Sequence, residues 1–186
     1  MRWSRIVLSR SMVPWGVAVV AAMLFLAAAP AAEAGGFEIG AHVGFIDFDS
    51  DVSDETELRY DVRAGYFFRR GLGVEVELIR AESDLNSELT TVMVNLVAGW
   101  RIDRRVSPYT LVGIGISDVK LDRLGFPDQS DDGFAYQAGI GLRFELGELD
   151  GLGAKIEATL LSEDTFGGNG TYVNLVGGLH WRFGRR

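Results

Sequence analysis

Phe134-Ala-Tyr-Gln-Ala-Gly-Ile-Gly-Leu-Arg-Phe-Glu145 is the stretch whose reading decides the fold. Phe134, Tyr136, Ala138, Ile140, Leu142 and Phe144 take every second position, while Gln137, Gly139, Gly141, Arg143 and Glu145 fill the places between. A period of two belongs to a β-strand, whose neighbouring side chains leave opposite faces. The pairing of charge with glycine on one face is the informative part. Glycine weakens a strand unless something must come close to it, so a face that simply met water would not collect it.

Working outward, the same alternation recurs in about eight runs, at 37–48, 58–68, 72–80, 90–102, 109–117, 134–145, 154–161 and 171–183, with no useful helical stripe among them. Ile39, Val43, Tyr60, Val62, Val74, Val94, Leu96, Val112, Ile114, Ile156 and Leu175 extend the apolar face. Glu38, Arg59, Asp61, Arg63, Glu75, Glu77, Asn95, Arg101, Lys155, Glu157, Asn174, His180 and Arg182 extend the opposite one. Gly40, Gly44, Gly65, Gly73, Gly99, Gly113, Gly115 and Gly178 share that polar face, and only Gly177 lies on the apolar one. A soluble sandwich would send its polar face to water, and a lipocalin-like barrel would keep its apolar face inside. A narrow transmembrane barrel turns its apolar face to lipid and fills its lumen with small residues and paired charges. The pattern predicts an all-β fold: an eight-stranded antiparallel up-and-down transmembrane β-barrel.

Two further patterns agree. The lumen face carries Arg59, Arg63, Arg101, Arg143, Lys155 and Arg182 against Glu38, Asp61, Glu75, Glu77, Glu145 and Glu157, and a tight turn at 69–71 would set Arg63 directly across from Glu77. Outward aromatics fall near strand ends, at Phe37, Phe45, Tyr60, Phe68, Trp100, Phe134, Phe144, Trp181 and Phe183, as two interfacial girdles require. With a periplasmic N-terminus, outside loops are expected at 49–57, 81–88, 118–133 and 162–170, mostly longer than the inside turns at 69–71, 103–108 and 146–153.

The N-terminal segment reads differently. Arg2, Arg5 and Arg10 precede an apolar run from Met12 to Pro30, and Ala32-Glu33-Ala34 gives small residues before Gly35. These are the parts of a secretory signal peptide. Residues 1–34 are therefore expected to be a Sec-type export signal and 35–186 the barrel domain. A chain of 186 residues has length for one such domain, and without cysteine it can hold neither a disulfide nor a thiolate metal site. A net charge of −8 argues against a nucleic-acid partner. Glycine at 24 residues against proline at 4 suits close-packed strands.

Pro108-Tyr-Thr-Leu-Val-Gly-Ile-Gly-Ile116 and Phe134-Ala-Tyr-Gln-Ala-Gly-Ile-Gly-Leu142 resemble the outer-membrane β-barrel domain shared by the OmpA transmembrane region and the OmpX/Ail group of small barrels. The resemblance covers the barrel region and implies a bacterial outer-membrane location. It also implies insertion by the barrel-assembly machinery through the last strand, where Gly178, Trp181 and Phe183 fit a G-x-x-Φ-x-Φ signal. Val176 departs from that signal where a polar residue is usual, and Gly184-Arg185-Arg186 follows the aromatic that normally ends it. No length is left for the peptidoglycan-binding domain that OmpA carries, so cell-wall anchoring is not expected. The implied partners are outer-membrane lipid and lipopolysaccharide, with the barrel itself a monomer.

Candidate chemistry is sparse. His42 and His180 fall on the lumen face without a third ligand nearby, which suits polar filling better than a metal site. Asp47, Asp49, Asp51, Ser53 and Glu55 have EF-hand spacing, but Val52 and Leu58 stand where that loop needs glycine and glutamate. Asp49, Asp51, Asp54 and Glu55 remain as weak candidates for divalent-cation contact in the first outside loop. No G-x-S-x-G is present, and neither an enzyme nor a cofactor is expected. The leading expectation is a non-enzymatic barrel that serves envelope integrity or surface interaction through acidic loops. The alternatives are a narrow porin-like channel and a lipid-modifying enzyme. Mass spectrometry of membrane-extracted protein should find a mature chain beginning at Gly35, and a dominant species retaining Met1 would refute the export signal.

Overall fold

The structure, a computed structural model, describes residues 36–48, 56–69, 71–83, 87–100, 105–121, 129–146, 151–165 and 168–184. Its strands are β1 (Gly36–Phe48), β2 (Thr56–Arg69), β3 (Leu72–Ser83), β4 (Ser87–Gly99), β5 (Val106–Leu121), β6 (Gln129–Glu145), β7 (Leu152–Thr165) and β8 (Gly168–Phe183). Each pairs antiparallel with the next, and β1 also pairs with β8, so the sheet closes into a barrel without an edge. Closure is what lipid demands, since an unpaired backbone group in hydrocarbon has no water to bond.

The inside–outside assignment follows the sequence pattern. Ile39, Val62, Val94, Val112, Ile114, Ile140, Ile156 and Leu175 are exposed, whereas Glu38, Arg59, Asp61, Arg63, Glu75, Glu77, Gln137 and Glu157 are buried. Phe37, Trp100, Trp181 and Phe183 are exposed at the end that holds Gly36, whereas exposed Tyr60, Phe134 and Tyr136 lie within the lengthened strands β2 and β6 rather than at their ends. At the β2–β3 turn Gly71 holds a φ of 83°, a left-handed conformation that suits glycine, and its carbonyl accepts from the Gly99 N–H at 2.5 Å. This turn sets Arg63 opposite Glu77, with a bulge between Phe67 and Arg69 absorbing the extra residue.

Three expectations need correction. The strands run to between 12 and 17 residues rather than about ten. At ~3.3 Å per residue and ~40° of tilt they span roughly 30–40 Å, beyond a ~25 Å apolar band. The excess lies at the end opposite Gly36 and Phe183, where the outward face carries charged residues such as Arg80, Glu88 and Asp132 while the inward face packs Ile46, Ala81 and Leu89, so the apolar-outside pattern of the membrane part ends. Glu57, Glu82, Glu88, Asp118, Asp131 and Asp132, expected on loops, are strand residues. The connections at that end shrink accordingly, to 49–55, 84–86, 122–128 and 166–167, and they are not consistently longer than those at the opposite end. Finally, the fourth strand ends at Gly99 rather than 102, and Trp100 lies in a bend, its N–H donating to the Pro108 carbonyl at 2.9 Å. Ile102 and Arg101 lie outside the described residues.

Arginine at Val94 or Ile140 should cost about 2–4 kcal/mol of folding free energy and arginine at Asp132, near the end opposite Gly36 and Phe183, less than about 1. Folding titrations into lipid vesicles would read the difference, and equal costs would overturn the assigned depth of these positions in the bilayer.

Candidate functional site in the barrel lumen

The lumen gathers the charges that alternation turned inward. In the middle, Arg63 reaches three carboxylates: Asp61 through Nε at 2.9 Å, Glu77 through Nη2 at 2.8 Å, and Glu157 on β7 through Nη1 at 2.8 Å. Arg59 adds Glu77 at 2.6 Å and Asp61 at 3.3 Å. The remaining acceptor capacity of Glu77 is taken by Asn95 Nδ2 at 2.8 Å and Gln137 Nε2 at 2.6 Å. Tyr109 donates its hydroxyl to Glu157 at 2.7 Å, and His42 Nδ1 lies 2.7 Å from Asp61. The Tyr109 ring lies where a Cβ on Gly141 would stand, so this lumen glycine makes room for a large neighbour.

A second cluster lies toward the end that holds Gly36 and Phe183. Glu38 accepts from Lys155 at 2.5 Å, Arg182 at 2.7 Å and Arg143 at 3.2 Å, and Lys155 also reaches Glu75 at 2.9 Å. Arg143 lies 4.9 Å from the Phe67 ring centre and Arg182 lies 5.0 Å from it. Both are cation–π distances. Among the described residues this makes five cations against five carboxylates, each in at least one ion pair. Five of the six expected cations are therefore brought together. Of the expected carboxylates, Glu145 instead lies half-buried at the rim, where its N–H donates to the Arg105 carbonyl at 3.0 Å.

Toward the other end the lumen is apolar, which the sequence reading did not expect. Ile79, Met93, Ala135 and Leu161 form one buried cluster, and Ile46, Ala81 and Leu89 form another, with Tyr172 packed against both. Tyr172 donates to Glu163 at 2.6 Å. The signal was present as apolar residues on the charged parity, in doublets such as Phe45-Ile46, Leu78-Ile79 and Leu160-Leu161. Val176, singled out as a departure from the assembly signal, is buried in this lumen.

His42 and His180 both face inward as expected, on the neighbouring strands β1 and β8. Among the described residues no group of three or more His, Asp or Glu is placed to hold a metal ion. Asp49, Asp51, Asp54 and Glu55 lie outside the described residues.

The model of the outer membrane protein beta-barrel domain matches residues 17–183. The chain belongs to that family. Members are β-barrels of the bacterial outer membrane, and this chain is one of them, crossing the membrane with its strands. A search of curated proteins gives no match. Among solved structures the chain is similar to Neisserial surface protein A, with a TM-score of 0.68 at 14% identity over 79% of this chain and 97% of that one. The N-terminal β-barrel domain of Pseudomonas aeruginosa OprF matches with a TM-score of 0.57 at 15% identity, covering 80% and 97%. Ail, the attachment invasion locus protein of Yersinia pestis, matches at 0.53 and 21%, again covering 80% and 97%. At these identities the likeness concerns the fold.

Removing one member of a buried ion network strands its partners. Arg63→Met should destabilise the barrel by about 3–5 kcal/mol, and adding Glu157→Gln should restore part of that loss. Urea titration in vesicles would measure both, and strictly additive losses would mean that the two side chains act independently.

Proposed function

We propose that this family member is a sealed, non-enzymatic barrel that contributes to envelope integrity and presents an acidic rim at the cell surface. The observation that carries this reading is the filled lumen: a paired charge network below and an apolar plug above leave side chains where a channel would need water. Eight strands enclose an interior just wide enough for such filling, which disfavours the porin-like alternative.

In this reading the rim holding Gly36 and Phe183 faces the periplasm, residues 1–34 are the export signal, and β8 is read by the assembly machinery through Gly178, Trp181 and Phe183. The opposite rim meets lipopolysaccharide. There Asp118 and Asp132 stand directly opposite one another across β5 and β6, a like-charge pair that costs stability on its own. Divalent cations bridging such carboxylates to lipid phosphates would relieve that repulsion, and the first-loop acids Asp49, Asp51, Asp54 and Glu55 would add to the same layer.

Purified protein in planar bilayers should show no stable large conductance. Reproducible openings on the nanosiemens scale would overturn the sealed-barrel reading and restore the channel.

A further inference from the structure

The outer wall of the barrel carries a groove. A depression of about 380 Å³ opens between Ile140, Ile156 and Leu175, with the shorter Thr110 and Ala158 among them and Trp100 and Pro108 also lining it. Ile140 and Leu175 are 66% and 62% exposed and stand out from the wall. Gly177, the strand glycine that breaks the inward rule, lies directly across from Ile156. A Cβ added there would meet only Ile156 Cγ2 at 3.7 Å and the Lys155 carbonyl oxygen at 3.8 Å, both ordinary contacts. The barrel's own packing does not require glycine at this position, and its missing side chain lowers the wall beside the groove.

The end of the groove marked by Trp100 and Pro108 points to the nature of the occupant. Trp100 is exposed at the aromatic girdle, and its backbone N–H donates to the Pro108 carbonyl at 2.9 Å. Arg105 is exposed just before β5, its carbonyl accepting from the Glu145 N–H at 3.0 Å. Apolar walls in the lipid-facing surface, an interfacial indole and an arginine beyond it follow the order of a phospholipid from tail to phosphate. The volume lies near the lower end of the ~300–1,000 Å³ typical of small-molecule sites. A second copy of the chain, whose proud Ile140 or Leu175 could enter the groove across a two-fold axis, is the competing occupant that the test separates.

We propose that this groove holds one acyl chain of an anionic glycerophospholipid of the periplasmic leaflet, with Trp100 at the glycerol level and Arg105 on the phosphate. Guanidinium and phosphate make charge-assisted, often bidentate bonds, and the proud aliphatic residues keep the chain from exchanging freely with bulk lipid. The leaflet rests on the periplasmic placement of this rim. The test uses a symmetric bilayer, in which a wrong orientation leaves the binding result unchanged, so the two failures remain distinct.

The barrel is placed in nanodiscs of equal phosphatidylglycerol and phosphatidylethanolamine and released for native mass spectrometry, with folding of every variant checked by heat-modifiable migration. The parent should retain one phosphatidylglycerol. Ala158→Phe, which fills the groove, should lower the retained fraction by about fivefold and Arg105→Gln by about threefold. Ala64→Phe, on the lipid-facing side of β2 away from the groove, should leave it unchanged. Parent-like retention by Ala158→Phe, an equal loss with Ala64→Phe, or no preference between the two lipids would overturn the site. Efficient dimer cross-linking through Ile140→Cys would assign the face to a second copy instead.

Discussion

Inside hydrocarbon a strand can send its N–H and C=O groups only to another strand, and each unpaired group costs several kcal/mol. The pairing of β1 with β8 meets that demand, and much of the rest depends on it. Once eight strands close, the radius is set, and the interior has width for side chains but not for a water column. Charged groups sent inward then find their opposites among other inward side chains. That is why Glu77 accepts from Arg59, Arg63, Asn95 and Gln137 together, and why Glu38 draws cations from β6, β7 and β8.

The lumen is filled in two ways, and the contrast is instructive. A buried ion pair is weak evidence for stability, because desolvation offsets most of its attraction and well-packed apolar residues often do as well. The layer of Ile46, Ile79, Met93 and Leu161 shows that this barrel uses the apolar solution where it can. What the charges add is register. Arg63 on β2 is tied to β3 and β7 at once, and Lys155 on β7 is tied to β1 and β3. A slip of one residue would turn Arg59, Asp61 and Arg63 to lipid together, a far larger penalty than misplacing a valine. The network therefore excludes wrong pairings more than it strengthens the right one.

This logic also explains which parts of the structure were legible in the sequence. Alternation with glycine and charge on one face revealed strand number, closure and sidedness, since lipid and lumen impose opposite demands on adjacent residues. The Arg63–Glu77 pair was legible because a tight turn fixes the register of its two strands. The Arg63–Glu157 and Lys155–Glu38 bonds were not, because they cross the lumen and their geometry exists only after closure. Strand ends were misjudged for a physical reason: past the bilayer the outward face turns polar while the inward face stays packed, so Ser117-Asp-Val-Lys-Leu121 no longer follows the apolar-outside pattern although it is paired strand. The apolar plug was missed because Ile79 and Leu161 follow Leu78 and Leu160, and an apolar doublet reads as a break in alternation rather than as a side chain on each face.

The two regions differ in how they treat charge, and that difference bears on where a specific role can reside. In the lumen every described charge in the two clusters has an opposite within ion-pair distance. At the rim opposite Gly36 and Phe183, Asp118 instead faces Asp132 across β5 and β6. Repulsion of that kind is tolerated where water screens it, and it contributes nothing to holding the barrel closed. A sequence that balances its interior charges and leaves this one opposed has a local rule broken at its surface. Such breaks tend to accompany function rather than folding. If the lumen is sealed as proposed, the rim opposite Gly36 and Phe183 is where this protein's individuality would be expressed.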